Sequence, residues 1–178
     1  IGDKIQDFND SFSNRMQYWD IHDGNKKDQT KSPVSIFIYD KKLNPDESTI
    51  SLLKKAILNC KTLRHPGFVT YIEDFDTPEK LFLVTERVIP LKRQFNEMNR
   101  QGLGHGCVDD QKQEAASQGL FNIATTLDFM HKANLVHNNI CSNSVFVDQA
   151  GLWKLFGLEY VNKIGEPSVY KVLSSLQR

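Results

Sequence analysis

The stretch L-V-H-N-N-I-C-S-N-S-V-F-V-D, residues 135–148, decides how the fold of this 178-residue chain is interpreted. Its centre is polar and its two ends are apolar, which is typical of a loop between ordered elements. The C-terminal end continues into a predicted hairpin of strands 145–147 and 152–155. Asp148 and Gly151 occupy the first and fourth positions of the turn between these strands, as a type I turn favours. The stretch is therefore predicted to be a loop that leads into a small hairpin.

Upstream of this stretch, the pattern alternates between strands and helices. Runs of β-branched and aromatic residues predict strands, and apolar residues at helical spacing predict helices. The predicted strands are residues 18–22, 33–39, 68–74 and 81–85. The predicted helices are residues 45–62, residues 91–98 and a long helix that starts at Asp109 or Asp110 and ends at His131.

The first and the long helix have predicted boundaries and buried faces. We expect Asn44 to cap the first helix, with Pro45 in its first turn, and Pro66 to prevent the helix from continuing. The predicted buried residues are Ile50, Leu53, Ile57 and Cys60 in the first helix and Ala116, Leu120, Ile123, Leu127 and Met130 in the long helix. Since the stripe on the long helix needs a cover, we expect residues 1–178 to be unstable as an isolated domain.

Composition limits the classes of protein. Lysine and arginine total 22 and aspartate and glutamate total 22, so the balance gives no argument for nucleic acid or an acidic membrane as partner. Cys60, Cys107 and Cys141 are an odd number without framework spacing, which indicates reduced thiols in an intracellular protein. No apolar run has membrane-spanning length, and we expect no signal peptide. The chain starts with Ile1, so we expect a fragment.

Residues 135–148 resemble the catalytic loop of protein kinases. A working loop has the form H-R-D-x-K-x-x-N, in which the Asp is the base and the Asn binds magnesium. His137 is retained here. The other four positions are replaced, by Asn138, Asn139, Cys141 and Ser144.

Several further segments are similar to the Scy-like (N-terminal kinase-like) pseudokinases, a family of the protein kinase superfamily. They are residues 32–40 (S-P-V-S-I-F-I-Y-D), 61–66 (K-T-L-R-H-P), 83–87 (L-V-T-E-R), 136–141 (V-H-N-N-I-C), 145–148 (V-F-V-D) and 153–155 (W-K-L). The resemblance implies an incomplete kinase-like fold of the α+β class, in which a small sheet lobe with one helix precedes the first part of a mainly helical lobe. The expected divisions are an arm at 1–17, the small lobe at 18–88, the start of the large lobe at 89–160 and an unmatched tail at 161–178.

The resemblance also implies that the catalytic positions are degenerate. Phe37 stands where kinases carry the phosphate-binding Lys, and Ala56 stands where they carry its Glu partner. Gly157 replaces the magnesium-binding Asp of D-F-G. Two alternatives remain open for nearby carboxylates. Either Glu159 or Asp148 is recruited as a metal ligand, or Glu159 faces solvent and Asp148 caps the hairpin turn.

A degenerate nucleotide pocket is predicted around the hinge. Gly24 is the single glycine of the polar stretch 23–32, where we expect a phosphate-covering loop, although a kinase needs three glycines. Lys26, Lys27 and Lys31 are expected to be solvated surface rather than phosphate ligands. Phe37, Thr85 at the gatekeeper position, and Glu86 and Val88 at the hinge complete the pocket. Backbone groups of the hinge could still bind adenine.

The expected function is a catalytically inactive, kinase-like scaffold. The resemblance implies coat-associated vesicle traffic between Golgi and endoplasmic reticulum, in the cytoplasm or peripherally at the Golgi. The implied partners are proteins, either vesicle coat components or a kinase, and no cofactor or metal is predicted. His137 and Cys141, with His131 nearby, lack the paired spacing of a zinc site. The alternative is an atypical kinase or a nucleotide-binding switch.

Overall fold

A computed structural model describes the backbone of residues 4–5, 18–27, 31–100 and 107–167, with the side chains of residues 18–27, 31–99 and 113–167. The strands are β1 (Lys4–Ile5), β2 (Asp20–Asn25), β3 (Pro33–Asp40), β4 (Tyr71–Asp76), β5 (Lys80–Glu86), β6 (Val88–Pro90), β7 (Leu135–Val136), β8 (Val145–Asp148), β9 (Trp153–Leu155) and β10 (Asn162–Lys163). The helices are α1 (Glu47–Thr62), α2 (Leu91–Arg100) and α3 (Cys107–Lys132), and Ser142–Ser144 and Leu158–Tyr160 form short 3-10 turns. This mixed architecture confirms the predicted α+β, partly kinase-like fold.

The first part of the chain is an antiparallel five-stranded sheet in the order β1-β2-β3-β5-β4. Strand β1 lies within the segment predicted to be an arm. Strand β2 extends as far as Asn25, so Gly24 lies in a strand opposite Val34 rather than in a loop. The polar loop predicted at residues 23–32 therefore begins only after Asn25, and a role of Gly24 in a nucleotide pocket stays a prediction.

The strand predicted at residues 68–74 begins three residues later, because residues 67–69 pair elsewhere. Phe68 forms a parallel bridge with Leu155. The N–H of Val69 donates to the Leu155 carbonyl at 3.0 Å, and the Leu155 N–H donates to the Gly67 carbonyl at 2.7 Å. These bonds attach the segment after α1 to strand β9.

Helix α1 has the predicted end but a different cap. Asp46 is the N-cap, and its carboxylate accepts hydrogen bonds from the N–H groups of Ser48 and Thr49. The hydroxyls of Thr49 and Ser48 bind the same carboxylate and lower the pKa of Asp46 to about 2. Asn44 is therefore not the cap. The predicted buried face of α1 is confirmed, because Ile50, Leu53, Ile57 and Cys60 are all buried.

Helix α3 begins at Cys107, before either predicted cap, and one residue of its predicted buried face is wrong. Leu120 is 63% exposed. The helix contacts its neighbours through small residues instead: a Cβ added at Gly119 would lie 2.0 Å from the Trp153 ring. Thr126 is fully buried. Ala116, Ile123, Leu127 and Met130 do pack on the core.

The second part of the chain contains a sheet in the order β6-β8-β9 and a separate β7–β10 pair. The predicted hairpin is confirmed, and the Asp148 carboxylate accepts from the N–H groups of Ala150 and Leu152 at 2.9 Å each. Gly151 has a φ of 83°, which favours glycine. Strand β10 lies in the segment predicted as an unmatched tail. Residues 161–167 of that tail are described, and residues 168–178 are outside the described residues.

Candidate functional site

His137 anchors the loop that resembles a kinase catalytic loop. Its Nδ1 lies 3.2 Å from the Asn139 backbone N–H, which donates to it, so the proton is on Nε2. Nε2 then donates to the Phe156 carbonyl at 3.1 Å. Burial lowers the pKa of His137 to about 4, and the ring is therefore neutral at pH 7. The residue holds the loop against the chain that follows β9.

Asn139, which is predicted to replace the catalytic base, is buried, and its side-chain amide is hydrogen-bonded. Its Nδ2 donates to the Gly157 carbonyl at 3.5 Å and to Glu159 Oε1 at 3.3 Å. Its Oδ1 accepts from the Cys141 thiol at 3.7 Å. Because an amide has no basic form, this group cannot accept a substrate proton.

Gly157 has no room for a side chain. Its φ is 79°, a left-handed conformation that favours glycine. An added Cβ would lie 2.8 Å from Asn139 Nδ2 and 3.2 Å from Ser144 Cβ. The Ser144 hydroxyl is occupied locally, since it accepts from the Cys141 N–H at 3.0 Å and donates to the Cys141 carbonyl at 2.9 Å. The structure thus brings Asn139, Cys141, Ser144 and Gly157 together, but their polar groups serve the loop itself.

Glu159 is buried, which corrects the expectation that it faces solvent. It lies in the turn Leu158–Tyr160, and this turn packs on α1 through a bond from Asn59 Nδ2 to the Leu158 carbonyl at 2.7 Å. Burial raises the pKa of Glu159 to about 7. Its Oε2 has no hydrogen-bond partner among the described residues. Asp148, in contrast, caps the hairpin turn as one of the alternatives expected.

An aromatic cluster surrounds Phe37, which is predicted to replace the phosphate-binding Lys. The Phe37 ring is fully buried and stacks on Phe156 with a centroid distance of 4.6 Å. Phe146 meets it edge-on at 5.7 Å, and so does Trp19 at 6.3 Å. The cavity beside this cluster, which we call the cleft cavity, has a volume of only about 30 Å³. Small-molecule pockets are usually about 300–1,000 Å³.

The hinge backbone is already hydrogen-bonded. The Ser35 hydroxyl donates to the Val88 carbonyl and accepts from the Val88 N–H, both at 3.0 Å. The Thr85 hydroxyl donates to the Glu86 carbonyl at 2.9 Å. The backbone groups expected to meet adenine are therefore paired within the protein.

A buried lysine fixes the hinge to the hairpin. Lys154 Nζ lies 3.1 Å from Glu86 Oε1 and 3.5 Å from Asp148 Oδ2, and its side chain is 8% exposed. Glu86 Oε1 also accepts from the Thr70 N–H at 2.8 Å. Side chains from β5, β8 and β9 therefore meet in one ion-paired cluster.

The five residues predicted to form a nucleotide pocket do not all line the cleft cavity, and their binding of a nucleotide stays a prediction. Of these five, Phe37 lines the cleft cavity, whereas Gly24, Thr85, Glu86 and Val88 do not. Ala56 is buried on α1, so the helix carries no carboxylate at that position.

Comparison of the sequence with known proteins identifies relatives of this chain. No family model matches the chain. It is 33% identical over 82% of its length to "Probable inactive serine/threonine-protein kinase scy1" of Dictyostelium discoideum. It is 34% identical over 79% of its length to "Cytoplasmic export protein 1" of Saccharomyces cerevisiae. It is 33% identical over 74% of its length to "Protein-associating with the carboxyl-terminal domain of ezrin" of Mus musculus.

The chain belongs to the Scy1-like pseudokinase family. It spans only 15% to 16% of the length of these three relatives. The Dictyostelium relative is named a probable inactive kinase, and in this chain Asn138, Asn139, Cys141 and Ser144 occupy the polar positions of the catalytic-like loop. Within the described ranges, no helix is both long enough and apolar enough to cross a membrane. The same residues contain no group of three or more His, Cys, Asp or Glu side chains that could hold a metal ion.

Sequence reasoning missed three residues that shape this Scy1-like site. Ser35 reads as an ordinary strand residue, because its partner Val88 lies 53 residues away. Trp19 reads as part of a short strand. The one available signal was Lys154, a charged residue within the short apolar strand β9, which indicates a buried lysine with a partner.

Proposed function

We propose that this chain is the kinase-like part of a non-catalytic scaffold that neither transfers phosphate nor binds Mg-ATP. The scaffold acts through protein partners, either vesicle coat components or a kinase. By family resemblance it acts in traffic between Golgi and endoplasmic reticulum, in the cytoplasm or peripherally at the Golgi. The name of the mouse relative, which describes association with part of ezrin, supports a role among proteins.

The aromatic cluster around Phe37 is the observation that carries the proposal. A nucleotide phosphate at this position would require the Phe37 ring to leave the Phe146 and Phe156 rings. Exposing a buried phenylalanine side chain costs about 1.5–3 kcal/mol. A nucleotide that had to displace the ring would therefore bind roughly 10- to 200-fold more weakly, before the loss of the Lys and of the metal ligands is considered.

The absence of phosphoryl transfer is tested with purified full-length protein and radiolabelled ATP. We expect no incorporation into the protein itself or into a general substrate. The Asn139→Ala and Glu159→Gln variants are the matched controls. Incorporation that disappears in either variant would show that these residues perform catalysis, and the scaffold proposal would be wrong.

The role in traffic needs a separate test in cells. The full-length protein and a version that lacks residues 18–163 are each fused to a proximity-labelling enzyme. We expect the full-length fusion to label vesicle coat subunits and to concentrate at the Golgi. Labelling no greater than that of an untargeted enzyme, together with absence from the Golgi, would contradict the trafficking role but leave the lack of catalysis intact.

A further inference from the structure

Two residues that line the cleft cavity each carry a buried polar atom without a hydrogen-bond partner among the described residues. Trp19 and Glu159 both line it, and the Trp19 Nε1 and Glu159 Oε2 atoms are buried without a partner in the described part of the chain. The two residues come from different elements: Trp19 precedes β2 in the first sheet, and Glu159 lies in the turn after β9. Native proteins rarely leave buried polar groups unpaired, so two at one cavity indicate a bound ligand.

The chemistry of the two atoms restricts this ligand. An indole N–H only donates, so the partner of Trp19 must accept. The unpaired oxygen of Glu159 accepts when the carboxyl group is ionised and donates when it is protonated, so its partner must be able to do both. A metal cation would satisfy the ionised Glu159 but not Trp19, and an anion would satisfy Trp19 but not the ionised Glu159. A molecule that donates and accepts satisfies both.

The size of the cleft cavity selects one such molecule. Its volume of about 30 Å³ has room for two or three water molecules at most, because each needs about 10–15 Å³ of such space. The walls contributed by Ile21, Phe37 and Phe156 are apolar, whereas Asn139, Asn143 and Ser144 contribute polar groups.

We propose that the cleft cavity is a water-binding site, where ordered water bridges the indole N–H of Trp19 to the carboxyl group of Glu159. The bridge completes the hydrogen bonds of a carboxyl group whose Oε1 already accepts from Asn139. It connects the first sheet to the loop region across the position where a kinase would hold phosphate and metal. Burial raises the pKa of Glu159 to about 7, and water can pair with either protonation form, since it donates to a carboxylate and accepts from a carboxylic acid.

A crystal structure of the full-length protein, at a resolution that shows ordered water, tests the site directly. Crystals are grown without divalent metal and, separately, soaked in MnCl₂. We expect water density within about 3.2 Å of Trp19 Nε1 and of Glu159 Oε2, joined directly or through a second water, in both crystals. An empty cavity, a side chain in it, or anomalous scattering from Mn²⁺ at Glu159 would overturn the proposal.

Thermal unfolding of variants gives a second test, because a shared bridge couples the two residues. Trp19→Phe keeps an aromatic ring but removes the N–H donor, and Glu159→Leu removes the carboxyl group. Each change is expected to lower the unfolding temperature, and the double variant is expected to lower it by less than the sum. Glu159→Gln, which can still donate and accept, should couple to Trp19→Phe as the unaltered Glu159 does. Strictly additive shifts would show that no bridge joins the two residues.

Discussion

The hinge and the Glu159 side of the cleft are both buried, but they are closed by different means. At the hinge, Ser35 and Thr85 pair with backbone groups and Lys154 is held by two carboxylates. At the other side, Glu159 Oε2 and Trp19 Nε1 have no partner among the described residues. The stability of the hinge therefore depends on protein contacts alone. The stability of the Glu159 side depends also on the protonation of Glu159 and on ordered water.

Replacement of Lys154 should have the largest effect on stability. Lys154→Ala leaves the Glu86 and Asp148 carboxylates close together without their cation, and breaking a buried pair costs about 3–5 kcal/mol. Denaturant unfolding of the full-length protein measures this loss. The matched control is Lys42→Ala, since Lys42 and its partner Glu79 are largely exposed and such pairs contribute about 0–1 kcal/mol. Equal losses from both variants would show that the hinge is not fixed by Lys154.

The Glu159 side should show a pH dependence of the free energy of unfolding. A carboxyl pKa raised from 4.5 to about 7 gives a stabilisation that is complete below about pH 4.5 and is lost as the pH rises through about 7. The difference corresponds to roughly 3 kcal/mol. Glu159→Gln should remove this loss, and the variant should be the more stable protein at pH 8. Urea unfolding from pH 5 to pH 8 measures both curves, and parallel curves would contradict the assignment.

Two neighbouring titratable groups determine the pH range in which a loss of stability can be assigned to Glu159. The Cys60 thiol, on α1, has a pKa raised to about 12 by burial and then by Glu159, so it stays neutral. The pKa of His137 is lowered from 6.5 to about 4, so its contribution is present above about pH 6.5 and is lost as the pH falls through about 4. The two titrations therefore have opposite signs, and only the loss towards high pH belongs to Glu159.

Ser35→Ala should have a smaller effect. It leaves the N–H and carbonyl of Val88 without their shared partner, and an unpaired buried polar group costs about 1–3 kcal/mol. Ser35→Thr keeps a hydroxyl and serves as the control. If Ser35→Ala unfolds at the same denaturant concentration as the unaltered protein, the hinge does not depend on this pair.

Phe37→Lys should not by itself restore measurable nucleotide binding, although it removes the ring. Ala56 leaves the new ammonium without its carboxylate, and Gly157 and Ser144 still provide no metal ligand. Calorimetric titration with Mg-ATP is expected to give no measurable heat of binding for the variant. Micromolar binding by Phe37→Lys would show that the ring alone closes the cleft and that the hinge contributes little.

Local sequence signals predicted much of the fold, and the remainder depended on distant contacts. The hairpin after residue 144 and the buried face of α1 follow from turn chemistry and helical spacing. Leu120 matched the same spacing yet is exposed, because α3 approaches Trp153 through Gly119. Asn44 and Asp46 are both good caps by residue type, and only the backbone decides between them.

At the candidate site, too, the sequence predicted some residues from local patterns and missed contacts between distant segments. The kinase-like spacing located Phe37, Asn139 and Gly157. The burial of Glu159 is set by its turn packing on α1, about 100 residues earlier in the chain, and the Ser35–Val88 pair depends on strand register. Neither contact leaves a local pattern in the sequence.

Closure of the cleft to nucleotide is tested by thermal unfolding of the full-length protein with millimolar ATP, with and without Mg²⁺. A ligand that binds only the folded protein must raise the unfolding temperature by mass action. We expect the same unfolding temperature with and without ATP, in both the presence and the absence of Mg²⁺. A rise of several degrees that depends on Mg²⁺ and is abolished by Glu159→Gln would contradict it, because it would place a metal-bound nucleotide in the cleft.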